Sequence, residues 1–108
     1  MAEGKRKSAP TLRRLIDLCN DAESRLEDSL RANVDLGNIE AIRDIWVIIT
    51  RQFFEFRALS KELEGRHLKL GNTENYNSAK TNRFEMKDEV AAQRTYFNQC
   101  LAKIHQNP

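Results

Sequence analysis

The sequence predicts an all-α protein: an antiparallel three-helix bundle, or an extended coiled-coil-like helical hairpin carrying a third helix, that oligomerises through its second helix. Three observations predict it. Ile42, Ile49, Phe56 and Leu63 recur every seven residues, with Ile45, Trp46, Phe53 and Leu59 filling the intervening three- and four-residue steps, which is the pattern of a helix with a broad apolar stripe. Two further stripes of helical spacing flank this one in the chain. Breakers are few: four Gly and two Pro in 108 residues, with 31% charged side chains, a composition typical of long helices. The size allows one domain with a modest core.

The first helix is expected over residues 11–35. Pro10 and Thr11 suit its opening, because proline is tolerated in or before a first turn. Leu12, Leu15, Cys19, Ala22, Leu26 and Leu30 line one side, with Ile16 and Leu18 widening it. Asp21 with Arg25 and Glu27 with Arg31 are i, i+4 pairs that mark a solvated face. Gly37 ends this segment, and Asn38 offers a side-chain oxygen as N-cap of the next.

The second helix is expected over residues 38–70 and is the one around which the others pack. Residues 45–50, Ile-Trp-Val-Ile-Ile-Thr, would suit a strand taken alone. The seven-residue series continues on both sides of them without turn residues, so helix is preferred. A helix that is apolar all round must be covered on more than one side. Gly65 either sits within the helix, at a cost of about 1 kcal/mol relative to Ala, or marks a kink, and Gly71 is the stop. Residues 72–78 form the most polar stretch and read as a loop or frayed start. The third helix is expected over residues 76–106, beginning somewhere between Thr73 and Asn82, with Asn82 and Glu85 as a capping box. Arg83 and Gln93 interrupt its stripe of Tyr76, Ala79, Met86, Val90, Phe97, Cys100, Leu101 and Ile104.

Charge is uneven. Lys5, Arg6, Lys7, Arg13 and Arg14 face Glu3 alone in the first fourteen residues, which carry +4, while the whole chain carries +2 and the remainder therefore −2. Residues 1–10 read as a flexible basic arm, either a solvated tail or a contact for nucleic acid, an anionic membrane surface or an acidic partner. Cys19 and Cys100 are too far apart in sequence for a metal motif. They read as reduced thiols on apolar faces, with a disulfide between first and last helices as the alternative. No apolar run reaches the roughly 20 residues of a bilayer span, and none of secretory length follows the basic triplet. A cytoplasmic location is expected.

Chemistry-bearing patterns are sparse. Glu64-Gly65-Arg66-His67 has the Glu-x-x-His spacing of di-iron bundles, but it lacks a second copy. The seven-residue frame puts Glu64 on the wet side with Arg43, Thr50 and Arg57, and leaves His67 as a surface or edge residue. No glycine-rich phosphate loop is present, so neither a cofactor nor catalysis is expected. Two functions stand. The first is an assembly or adaptor protein acting by protein–protein interaction and self-association, with Trp46, Ile49, Phe53 and Phe56 as packing anchors. Val47 and Phe54, off the main stripe and adjacent in helical projection, join Trp46 and Phe53 as its interface, since surplus apolar surface marks a contact. A monomer whose flanking helices wrap over that surface is the bland alternative. The second is a nucleic-acid-binding accessory protein, with Lys5, Arg6, Lys7, Arg13 and Arg14 on phosphates. Arg57, Lys61, Arg66 and Lys69, and then Lys80, Arg83 and Lys87, form further basic clusters, interleaved with Glu62, Glu64, Glu85, Asp88 and Glu89.

Overall fold

Three helices form in chain order: α1 (Leu12–Arg31), α2 (Ile39–Lys69) and α3 (Thr73–Gln106). A computed structural model describes residues 9–106, so Lys5, Arg6 and Lys7 lie outside the described residues. Among the described residues there is no strand. The β-branched run of residues 45–50 is helical, because its neighbours extend one apolar stripe through it. Ile42, Ile49 and Phe56 are almost wholly buried and Leu63 nearly so.

Local chemistry sets each end. The Thr11 hydroxyl accepts from the Arg14 amide at 3.1 Å and caps α1. Asn38 Oδ1 accepts from the amides of Glu40 (3.0 Å) and Ala41 (3.2 Å), capping α2; each satisfies a donor with no partner inside the helix. α2 runs unbroken through Gly65 and closes as a Schellman turn. There Gly71 takes φ 75°, its amide donates to Leu68 O at 3.1 Å, and the Asn72 amide donates to His67 O at 2.9 Å.

One boundary and one cap differ from expectation, and a second boundary falls at the edge of its expected range. α1 stops at Arg31, well before residue 35 and Gly37; its stripe runs out at Leu30, and residues 32–38 turn through an Asn38 N–H bond to Asp35 O at 3.0 Å. α3 starts at Thr73, so the polar residues 73–78 are its exposed first turns rather than a loop. Asn82 therefore lies inside α3 and caps nothing. Its side chain donates instead to Glu23 of α1 at 2.8 Å.

α2 is the middle member of the bundle. Arg25–Glu55 (2.7 Å) joins α1 to α2, while the T-shaped pair Trp46–Phe97, 6.3 Å between centroids, joins α2 to α3. The pairings Arg25–Glu55 and Arg66–Pro10 run in opposite chain senses, as do Trp46–Phe97 and Glu64–Arg83, so α2 is antiparallel to both neighbours. Leu15, Cys19, Ala22 and Leu26 of α1 and Met86, Val90 and Phe97 of α3 meet the α2 stripe in one core. α1 and α3 touch each other little, and the molecule is flat, with Cα extents of 58 × 38 × 17 Å. The 20 residues of α1 cannot span the 31 of α2, and Val47 and Ile48 of α2 are exposed.

Candidate docking groove

The outer side of the α2/α3 pair, away from α1, carries a continuous groove. On α2 the residues Arg43, Val47, Thr50, Phe54, Arg57 and Lys61 fall at alternating steps of four and three, which keeps them in one row along a helix. On α3 Lys87, Ala91, Arg94, Asn98 and Leu101 do the same. Antiparallel packing lays the two rows side by side. One hollow of about 360 Å³ lies between Ile42, Arg43, Trp46 and Val47 of α2 and Arg94, Phe97, Asn98 and Leu101 of α3. A second, of about 400 Å³, shares Trp46 and Arg94 and adds Thr50, Phe53, Phe54, Lys87 and Val90 among its walls. A third, of about 310 Å³, shares Phe54 and continues to Arg57, Ala58 and Lys61.

Of the interface residues expected from the sequence, Val47 and Phe54 are 54% and 57% exposed, while Trp46 and Phe53 are half-buried and form the floor. The structure thus brings all four to one groove. Ile49 and Phe56 point the other way, into the core. Thr50 Oγ1, at the groove's edge, has no hydrogen-bond partner among the described residues.

The feature that sequence reasoning missed is the charge of this groove. Arg43, Arg57, Lys61, Lys87 and Arg94 are all exposed, and no Asp or Glu lines any of the three hollows. None of the five makes an ion pair among the described residues, whereas Arg13, Arg25, Arg31 and Arg83 each pair with a carboxylate. Counted along the chain, these cations are interleaved with acids. The signal lies in the four-and-three rows, from which Asp and Glu are missing.

Arg13 and Arg14 are exposed at the start of α1, and Arg13 reaches Asp17 at 3.7 Å. Neither lines the groove.

The Glu-x-x-His reading is corrected. Glu64 is 6% exposed and His67 5%, both inside the bundle rather than on its wet side or edge. Periodicity within α2 misplaces them because Arg83, the apparent break in the α3 stripe, reaches across to Glu64. Its Nε donates to Oε2 at 2.7 Å and its Nη2 to Oε1 at 3.1 Å. Ser60 Oγ adds a longer bond to Oε2 at 3.4 Å. That hydrogen-bonded carboxylate holds the Arg83 guanidinium above its ordinary pKa, and the guanidinium also lies over the Phe84 ring, 4.7 Å from its centroid. His67 Nδ1 sits 3.5 Å from Asn72 Nδ2. Among the described residues no three His, Cys, Asp or Glu side chains converge as metal ligands.

Cys19 and Cys100 are free thiols, the first buried and the second half-buried. Burial, with the charges of Glu23 and Glu64, pushes the Cys19 thiol up to about 11, leaving it neutral and a poor nucleophile. Among the described residues no helix is long and apolar enough to cross a membrane.

Comparison with protein families, with curated proteins and with solved structures finds no match.

Proposed function

We propose that this protein is a non-catalytic interaction module that holds a protein partner in the α2/α3 groove. One observation carries the reading: three hollows linked by shared residues join an apolar floor, Trp46 and Phe53, to exposed Val47 and Phe54 under a rim of unpaired cations. Apolar side chains left open in a row along a helix pair cost nothing to a folded monomer but gain by being covered, which is the physical basis of a docking face.

Self-association through α2 remains the natural alternative for the apolar surplus. A two-fold contact on this face would set the same patch against itself. It would bring the five cations Arg43, Arg57, Lys61, Lys87 and Arg94 of one patch against the same five of the other, and like-charge juxtaposition costs several kcal/mol. A partner of different charge suits the groove better.

The nucleic-acid reading draws on the same five cations and on Arg13 and Arg14. Lys5, Arg6 and Lys7 would extend it beyond the described residues.

The docking reading is tested by placing a photo-crosslinking amino acid at position 47 or at Ser24, on the exposed face of α1, in cells that make the protein. A discrete protein adduct from position 47 and none from position 24 is the expected result. Equal labelling from both positions, or none from position 47, overturns it.

A further inference from the structure

We infer that the occupant of the groove is an acidic amphipathic α-helix of another protein, seated between α2 and α3 as the fourth helix of a completed bundle. This rests on the docking reading above and adds the chemistry of the partner. The stretch walled by both helices runs along α2 from Arg43 to Phe54, a rise of roughly 17 Å at 1.5 Å per residue, and the α2 surface continues beyond it to Lys61, which together seats a helix of about 18–20 residues. Its walls are two antiparallel helices, the surface into which a third helix packs ridges into grooves at about 8–10 Å.

The protein already shows how such a helix sits. α1 lies along α2 with Leu15, Cys19, Ala22 and Leu26 inward, and it links its polar flank to α2 through Arg25 and Glu55 at 2.7 Å. Among the described residues the opposite side of the α2/α3 pair has no such cover, and the molecule is only 17 Å thick across its Cα atoms. A helix laid there turns a flat array into a closed bundle.

Charge selects which helix. Arg43 stands on the α2 wall and Lys87 and Arg94 on the α3 wall, with the apolar floor between them, and Arg57 and Lys61 line the α2 surface that continues the groove. A helix with an apolar stripe flanked on both sides by Asp and Glu matches floor and rims together. A basic or neutral helix matches the floor alone. Single-stranded nucleic acid would match the rims but needs successive open rings on which bases stack. Within the groove only Phe54 offers a mostly exposed ring, since Trp46 packs edge-on against Phe97 at 6.3 Å.

Trp46 is the chain's sole tryptophan and forms part of the groove wall, so its fluorescence reads occupancy directly. The full-length protein is titrated with a synthetic helix of about 20 residues, with Leu at positions i, i+3, i+4 and i+7 and Glu on the flanks. The same peptide with Lys replacing Glu, and an oligothymidylate of similar length, are titrated in parallel. The expected result is a saturable change in Trp46 emission with the Glu peptide, an affinity that falls with added salt, and at least about a tenfold weaker affinity in Arg94→Glu. Arg14→Glu, outside the groove, leaves the affinity unchanged. An unaltered melting temperature in Arg94→Glu assigns the loss to the groove rather than to unfolding.

Equal binding of the Lys peptide, absence of any response to the Glu peptide, or tighter oligothymidylate binding that Arg94→Glu abolishes would each overturn the inference, the last naming nucleic acid as the occupant. A protein adduct from position 47 alongside no response to the Glu peptide would leave the docking reading standing while refuting the acidic helix.

Discussion

Arg83 of α3 holds Glu64 of α2 in a two-pronged grip, 2.7 Å from Nε to Oε2 and 3.1 Å from Nη2 to Oε1, with both side chains largely buried. Two charges withdrawn from water in this way stabilise the fold only while both are present. Arg83→Met should therefore destabilise by about 3–5 kcal/mol, because it strands a buried carboxylate. The double variant Glu64→Leu/Arg83→Met should recover most of that loss or exceed the parent. Urea denaturation of the parent, both single variants and the double variant measures it. A double variant as unstable as Arg83→Met would mean that the pair contributes through packing rather than through charge.

The Cys19 thiol provides a pH signature. Its pKa rises from 9.0 to about 11 on folding, so the unfolded chain loses this proton first as pH climbs. The associated stability is fully present below pH 9.0 and is lost as pH rises through about 11. Between about pH 8 and about pH 10.5 the parent should lose roughly 2 kcal/mol more than Cys19→Ala, at 1.36 kcal/mol per pKa unit. Paired urea midpoints at the two pH values give the difference. Parallel curves for the two proteins would count against a neutral buried thiol.

Two glycines of α2 should respond in opposite directions. A Cβ added at Gly65 meets nothing within 4 Å, and the helix continues through it, so Gly65→Ala should stabilise by about 0.4–1 kcal/mol. At Gly71 the space is equally open, but φ is 75°, where an L side chain crowds the following carbonyl. Gly71→Ala should destabilise by about 1–2 kcal/mol. Thermal melts followed by circular dichroism separate the two signs.

Phe54 and Phe56 stand two residues apart with opposite duties. Phe56 is 1% exposed, so Phe56→Ala should cost about 3–5 kcal/mol through lost burial and the cavity left behind. Phe54→Ala should shift stability by no more than about 0.5 kcal/mol, as for an open surface position. A large loss at Phe54 in chemical denaturation would show that it supports the fold rather than awaiting a partner.

Much of the architecture was legible before folding was considered. The seven-residue series Ile42, Ile49, Phe56 and Leu63 marked the core face of α2, and Gly71 marked its end, because helical periodicity and left-handed backbone are properties of the local chain. Val47 and Phe54 were visible as surplus to that stripe for the same reason. Glu64 was not, since its row in α2 includes the exposed Arg43 and Arg57 and only Arg83 of α3 encloses it; His67, in the row of Trp46 and Phe53, read as an edge residue and is buried. The end of α1 was set too late because Gly37 is a good stop signal that the helix never reaches. The start of α3 was legible only as a range, from Thr73 to Asn82, because a polar first turn resembles a loop when its neighbours are unknown.

By itself, then, the sequence determined three amphipathic helices, the opening of the first near Pro10 and Thr11, the cap at Asn38, the stop at Gly71 and the apolar stripe on which the bundle closes, all consequences of spacing within about a turn or two. Tertiary structure alone decided that Arg83 neutralises Glu64. It also decided that α1 covers one side of the α2/α3 pair and not the other, and that Arg43, Arg57 and Lys61 fall on the same outer face as Lys87 and Arg94. Charge and burial at those positions depend on residues some twenty to fifty places away in the chain. Only the packing of one helix against another brings them within range of each other.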